Sequence, residues 1–219
     1  MGERPLWPGL IAEGNSDEPY LSKLIKKQLD ALLLEKGRQS VAVADCEIAP
    51  VHTTGSGGTA AVIDVAWDLA QDCHLLFVHC DQDERDKAEK IAAELAQRRR
   101  SAKRAAVPVR LIPVMMTESW MLADRKALEA VVPGIRLTDY PYAKPAGVEK
   151  QTALSSDKKT KLGPKQVWKA LLGADAHDTL MDAAEVLVQR TDLEVLTQVP
   201  SYREWVEETE SALSGMGYI

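Results

Sequence analysis

Cysteine is scarce in this 219-residue chain: Cys46, Cys73 and Cys80 stand singly, with no Cys-x-x-Cys spacing. An odd count without paired spacing argues against a disulfide framework and against a zinc site, leaving buried thiols in a chain that reads as intracellular. Cys80 reads as a strand residue rather than a nucleophile. No apolar run approaches the roughly 20 residues needed to span a bilayer. The start, Met1 to Pro8, lacks the apolar stretch of a secretory signal. The expectation is a cytoplasmic protein with no membrane partner. Excess positive charge is missing too: 27 Lys and Arg against 33 Asp and Glu leave a net charge of −6, the wrong sign for a protein held to nucleic acid by bulk electrostatics. The glycine-rich stretch Thr53 to Thr59 is followed by no Gly-Lys-Ser/Thr, and no GxGxxG is present. That stretch reads either as a phosphate-presenting turn before a helix or as a flexible connection. No internal repeat is evident.

What is present suits a packed globular chain. Hydrophobic residues make up 45% and charged residues 27%, enough for one large domain or one domain with an extension. Residues 8–13 form an apolar run with little alternation, as in a strand buried on both faces. Asn15 to Pro19 resembles a helix start, with Ser16 or Asp17 as cap. Leu21, Leu24, Ile25, Leu29, Leu32 and Leu33 then recur at helical spacing to about Lys36. Residues 41–51 suggest the next strand and 59–71 a helix. His74 to Cys80 is a third strand, Glu84 to Arg104 a charged helix, and Val107 to Met115 a fourth strand. Strands alternating with helices predict an α/β parallel sheet of about four strands with flanking helices. After residue 116 the pattern becomes mainly helical, with a loop-like stretch from Arg136 to Leu162 and helices over 164–172, 178–188 and 202–213. The predicted organisation is a core over 1–116 and a helical C-terminal extension, 117–219, packed on it.

Two apolar runs end in carboxylates. Leu10-Ile11-Ala12-Glu13-Gly14 is one, with Asp17 just after it; Leu75 to Cys80, ending at Asp81-Gln82-Asp83, is the other. In a parallel sheet the carboxyl ends of the strands share one edge, where ligands usually bind. Glu13, Asp81 and Asp83 are therefore candidates to meet. Converging carboxylates repel unless a cation lies between them, and oxygen donors suit a hard ion such as Mg²⁺ or Mn²⁺. If residues 81–83 are extended, Asp81 and Asp83 point the same way. Glu118 follows the fourth strand and reads either as a further ligand or acid/base, or as a helix-start acid; Asp124 and Asp17 read as caps or as ligands. Lys87 and Lys165 are candidate phosphate contacts. The basic runs Arg98 to Arg104 and Lys158 to Lys165 read as local phosphate contacts or as solvated surface. Trp120, Trp168 and Trp205 read as core, and His79 as a packed strand residue near the acids.

Strand, Glu-Gly, helix, and later strand, Asp-x-Asp, resembles the TOPRIM domain of topoisomerases, primases and overcoming-lysogenisation-type nucleases; the matching positions are Glu13-Gly14 and Asp81-Gln82-Asp83. The chain is more closely similar to a bacterial TOPRIM-like family of unassigned function, often encoded beside an ATPase of the ABC or SMC type. That likeness is carried by Ile11-Ala-Glu13-Gly14-x-x-Asp17, Thr117-Glu118-Ser-Trp120-Met-Leu-Ala-Asp124, Gly163-Pro164-Lys165 and Val199-Pro200-Ser201-Tyr202-Arg203-Glu-Trp205. The resemblance implies that Asp81 and Asp83 hold a metal while Glu13 binds it or handles a proton. It also implies a metal-dependent nuclease or phosphodiesterase, the effector of an ATPase-linked defence system. Two other functions stay open: a non-catalytic docking module for that ATPase, which the net negative charge favours, and a phosphatase acting on small substrates.

Overall fold

The computed structural model describes residues 3–54, 58–102, 104–132, 134–154, 159–173 and 176–219, without the side chains of 176–180. The chain divides into two compact units, Met1–Ile112 with Glu204–Ile219, and Pro113–Arg203. The C-terminal residues therefore count with the first unit, whereas the sequence reading runs one helical extension to the chain end.

The first unit is built on parallel strands. β1 (Arg4–Leu6), β2 (Pro8–Ile11), α1 (Glu18–Lys36), β3 (Val41–Val43), β4 (Glu47–Ile48), α2 (Gly58–Asp72), β5 (Leu75–His79), α3 (Arg85–Arg99) and β6 (Val107–Leu111) follow in chain order. The main sheet has four strands in the order β4-β2-β5-β6, all parallel, as the α/β alternation predicts. The single strand expected over 41–51 is two pieces in two sheets. β3 pairs with β1 in a separate two-stranded sheet, and β4 pairs with β2. Ala44 donates its N–H to Leu6 and Ala49 donates to Leu10, so the chain changes partner where β1 gives way to β2.

β5 is buried along its whole length, and its alternation divides the core. Leu76 and Val78, with Cys80 beyond the strand, pack with Ile11 against Val62, Ile63 and Ala66 of α2 and Ala88, Ile91 and Leu95 of α3. Phe77 points the other way and meets Trp205 edge-on, 5.9 Å between ring centroids. The same C-terminal segment carries Glu208, whose carboxylate takes hydrogen bonds from the Arg110 guanidinium at 2.8–3.2 Å. α1 buries the aliphatic stripe read from its spacing, each side chain contributing about 1.5–3 kcal/mol.

Gly9 in β2 is required by close approach. A Cβ there would stand 2.8 Å from Cys73 Sγ and 3.1 Å from Leu76 Cδ1. Gly9→Ala is expected to destabilise by about 1–3 kcal/mol, the usual range for overpacking a core. Urea unfolding measures it, and an unchanged midpoint would show that Cys73 moves aside without cost.

The second unit holds α4 (Thr117–Met121), α5 (Arg125–Val131), α6 (Pro164–Leu172), α7 (Ala176–Arg190), α8 (Leu193–Leu196) and the first turn of α9 (Pro200–Gly215). The stretch from Arg136 to Leu162 carries 3₁₀ turns at Leu137–Asp139 and Pro145–Glu149, and an antiparallel bridge between Thr152 and Leu162. Trp120 is fully buried; its Nε1–H donates to Ser201 Oγ at 2.9 Å and its ring meets Tyr202 edge-on at 5.0 Å. Asp124 is a cap: Oδ1 accepts from the N–H groups of Lys126 and Ala127, and Oδ2 from that of Asp192. No helix among the described residues is long and apolar enough to cross a membrane.

Candidate functional site

Strand order locates the candidate site. From β2 the chain passes through α1 to β4 on one side; from β5 it passes through α3 to β6 on the other. α2 and α3 share the core face described above, which contains no α1 residue. The connections therefore diverge between β2 and β5, and the crevice at the carboxyl ends of those two strands is the topological switch point where open α/β sheets bind ligands.

Glu13 and Asp81 stand at that crevice. β2 ends at Ile11 and β5 at His79, so each acid lies two residues beyond its strand. Glu13 Oε2 accepts the main-chain N–H of Asp81 at 2.6 Å. In return the main-chain N–H of Glu13 donates to Nδ1 of His79 at 3.0 Å. With Nδ1 acting as acceptor, the proton of the neutral imidazole belongs on Nε2, which stands 3.8 Å from Asp81 Oδ1. That is too long for a hydrogen bond. His79 is fully buried, and desolvation pushes its pKa down to about 4 against a smaller upward pull from Glu13.

Two threonines complete the frame. Thr53 donates its main-chain N–H to the carbonyl of Ala12 and its hydroxyl to the carbonyl of His79, at 2.9 and 3.0 Å. Thr54 donates its hydroxyl to the carbonyl of Glu13 at 2.7 Å. Sequence reading does not single out these threonines or the coupling of His79 to both acids. The available signal is His79 standing two residues before Asp81, on the side an extended chain would share.

Asp83 is placed differently from the extended reading. Asp81 is extended, but Gln82–Glu84 turn into a 3₁₀ segment, with the Glu84 N–H donating to the Asp81 carbonyl. Two-residue alternation therefore does not carry Asp83 to the side of Asp81, and Asp83 is exposed on the turn. Among the described residues no group of three or more His, Cys, Asp or Glu side chains gathers closely enough to hold a metal ion. Lys87, in the first turn of α3, has its Nζ 3.8 Å from Glu84 Oε2. Asp17 does not cap α1 through its side chain; Oδ2 accepts from the Gly14 N–H at 3.2 Å and braces the turn after Glu13. The glycines 55 and 57 of the glycine-rich stretch lie outside the described residues, as does Lys158 of the second basic run.

Glu118 and Lys165 belong to the second unit and meet each other there. Lys165 Nζ stands 3.7 Å from Glu118 Oε1, with the carboxylate mostly covered and the lysine exposed. Trp168 Nε1–H donates to the Glu118 carbonyl at 3.4 Å. Comparison with protein-family models, with curated proteins and with solved structures gives no match for this chain.

Proposed function

We propose that this chain is a divalent-metal-dependent phosphodiesterase or nuclease whose acidic site is the β2/β5 crevice. The observation that carries the reading is the meeting of Glu13 and Asp81 at the switch point, locked by the 2.6 Å bond from the Asp81 N–H to Glu13 Oε2. The donor set fits Mg²⁺ or Mn²⁺: both side chains offer oxygen, and Mg²⁺ commonly takes one or two protein carboxylates and completes its shell with water and substrate phosphate. Glu13 and Asp81 would hold the ion, with Asp83 at the rim. When bound, the ion activates water and neutralises charge on the phosphate. The protein's own part is orientation. Nε2 of His79 stands 3.8 Å from Asp81 Oδ1, while Thr54 and Asp17 hold the carbonyl and the N–H of the peptide that joins Glu13 to Gly14. The resemblance to TOPRIM nucleases supports the reaction class, and it alone supports an ABC- or SMC-type ATPase as partner, with this chain as the effector.

A second reading, a non-catalytic docking module for that ATPase, is favoured by the exposed position of Asp83 and the absence of a three-residue cluster among the described residues. Calorimetric titration with Mn²⁺, alone and with bis(p-nitrophenyl) phosphate present, separates the two. Saturable binding by the wild type, lost in Asp81→Ala/Asp83→Ala, is expected. Hydrolysis of the same diester should fall by about a hundredfold or more in the variant. No binding under either condition, in a chain that circular dichroism shows to be folded, would favour the docking module.

A further inference from the structure

At the opposite, amino-terminal edge of the sheet, the residues just before three strands surround a cavity of about 430 Å³. Trp7 precedes β2, His74 precedes β5 and Ala105 lies shortly before β6. The cavity is one strand length from the acidic crevice, about 15 Å at roughly 3.3 Å per residue. From these linings we infer a nucleotide-binding site, one that takes a planar base together with a phosphate.

The aromatic wall is preset. The Trp7 N–H donates to His74 Nδ1 at 3.0 Å and its carbonyl accepts from the His74 N–H at 2.8 Å, so the backbone under the indole is clamped. The indole lies against the His74 ring, 5.1 Å between centroids, yet remains 49% exposed beside the cavity. A tryptophan whose backbone is clamped and whose ring is half uncovered offers a face on which a base can stack.

The cationic wall comes from the first basic run. Arg99 and Arg104 both line the cavity, as does Arg4, against Asp72 as the acid of the lining. This local positive excess stands in a chain of net charge −6. Arg4 is committed to structure: it lies 3.7 Å over the Tyr218 ring and donates to the carbonyls of Met216 and Gly217. Arg99 uses Nε on the Ala105 carbonyl at 3.0 Å, which leaves its terminal nitrogens for an anion, and Arg104 is exposed. A guanidinium fork matches phosphate oxygens. An inorganic anion would not use the indole, and an apolar ligand would not use the arginines; a nucleotide uses both. The cavity volume falls in the usual range for small-molecule sites.

The ligand can be a free nucleotide or the phosphorylated end of a single strand. Calorimetry with adenosine 5′-monophosphate, adenosine and a 5′-phosphorylated oligothymidylate decides, using wild type, Trp7→Leu, Trp7→Phe and Arg104→Glu. Both positions are exposed enough for the fold to survive, which circular dichroism checks. Saturable binding of the monophosphate or the oligonucleotide is expected, weakened tenfold or more by Trp7→Leu and by Arg104→Glu and largely kept by Trp7→Phe. Binding of the monophosphate alone identifies a free nucleotide; binding of the oligonucleotide alone identifies a strand end. The inference is overturned if neither probe binds, if adenosine binds as well as its monophosphate, or if affinity survives both disruptive variants. Asp81→Ala is expected to leave this binding unchanged, so the outcome is independent of the metal reading.

Discussion

Acidifying the protein from pH 7 to pH 4 is expected to remove about 3 kcal/mol of stability through His79 alone. In the folded chain its pKa is about 4, whereas an exposed histidine in the unfolded chain titrates near 6.5. Between those values the unfolded chain binds a proton that the folded chain refuses, so lowering the pH favours unfolding. The stabilisation is complete above about pH 6.5, declines steadily toward pH 4 and changes little below that. At about 1.36 kcal/mol for each tenfold difference in proton affinity, the gap is worth about 3 kcal/mol. The physical cause is location: the imidazole is fully buried at the end of β5, and its Nδ1 accepts the Glu13 N–H, a role that protonation abolishes. His79→Asn, with an amide oxygen to accept that N–H, should unfold with a flatter dependence between pH 6.5 and 4. Urea midpoints measured at several pH values test this. Equal slopes for the two proteins would place the acid sensitivity elsewhere.

Trp120→Ala is expected to cost about 3–5 kcal/mol, the range for truncating a large buried aromatic. Two losses combine. The ring leaves a cavity beside Tyr202, and Ser201 Oγ loses the Nε1–H that it accepts at 2.9 Å. Trp120→Phe keeps most of the ring and loses the hydrogen bond, so it should cost less, by the difference between a cavity and one bond of about 1 kcal/mol. Because Glu118 lies in the same five-residue helix, the alanine variant should also loosen its pairing with Lys165. Urea unfolding of the three proteins gives the order; a Trp120→Ala cost under about 1 kcal/mol would contradict the packing account.

Elements with strong internal pattern are legible in the sequence alone. α1 carries its own evidence, a leucine and isoleucine stripe at helical spacing, and the structure ends it at Lys36 as read. β5 is a short apolar run between polar ends, which describes a central parallel strand buried on both faces. Elements whose identity depends on a distant partner were not legible. Residues 41–51 read as one strand because nothing local marks the change from β1 to β2 as partner. β1 itself, three residues with Pro5 in the middle, has too little pattern to stand out.

The acids divide along the same line. That Glu13 and Asp81 follow strands is a local property of the sequence, and parallel topology alone makes them neighbours. Whether Asp83 joins them depends on the backbone after Asp81, which the 3₁₀ turn decides. By itself, then, the sequence determined an α/β parallel sheet, its main helices and the pair of acidic strand ends, because hydrophobic periodicity and strand termini are encoded within a few residues. Only the tertiary structure decided which strands share a sheet, which atoms of Glu13, His79 and Asp81 touch, and that Trp7 and the arginines of a distant helix end border one cavity. Those arrangements depend on residues up to about a hundred positions apart, and only folding brings them together.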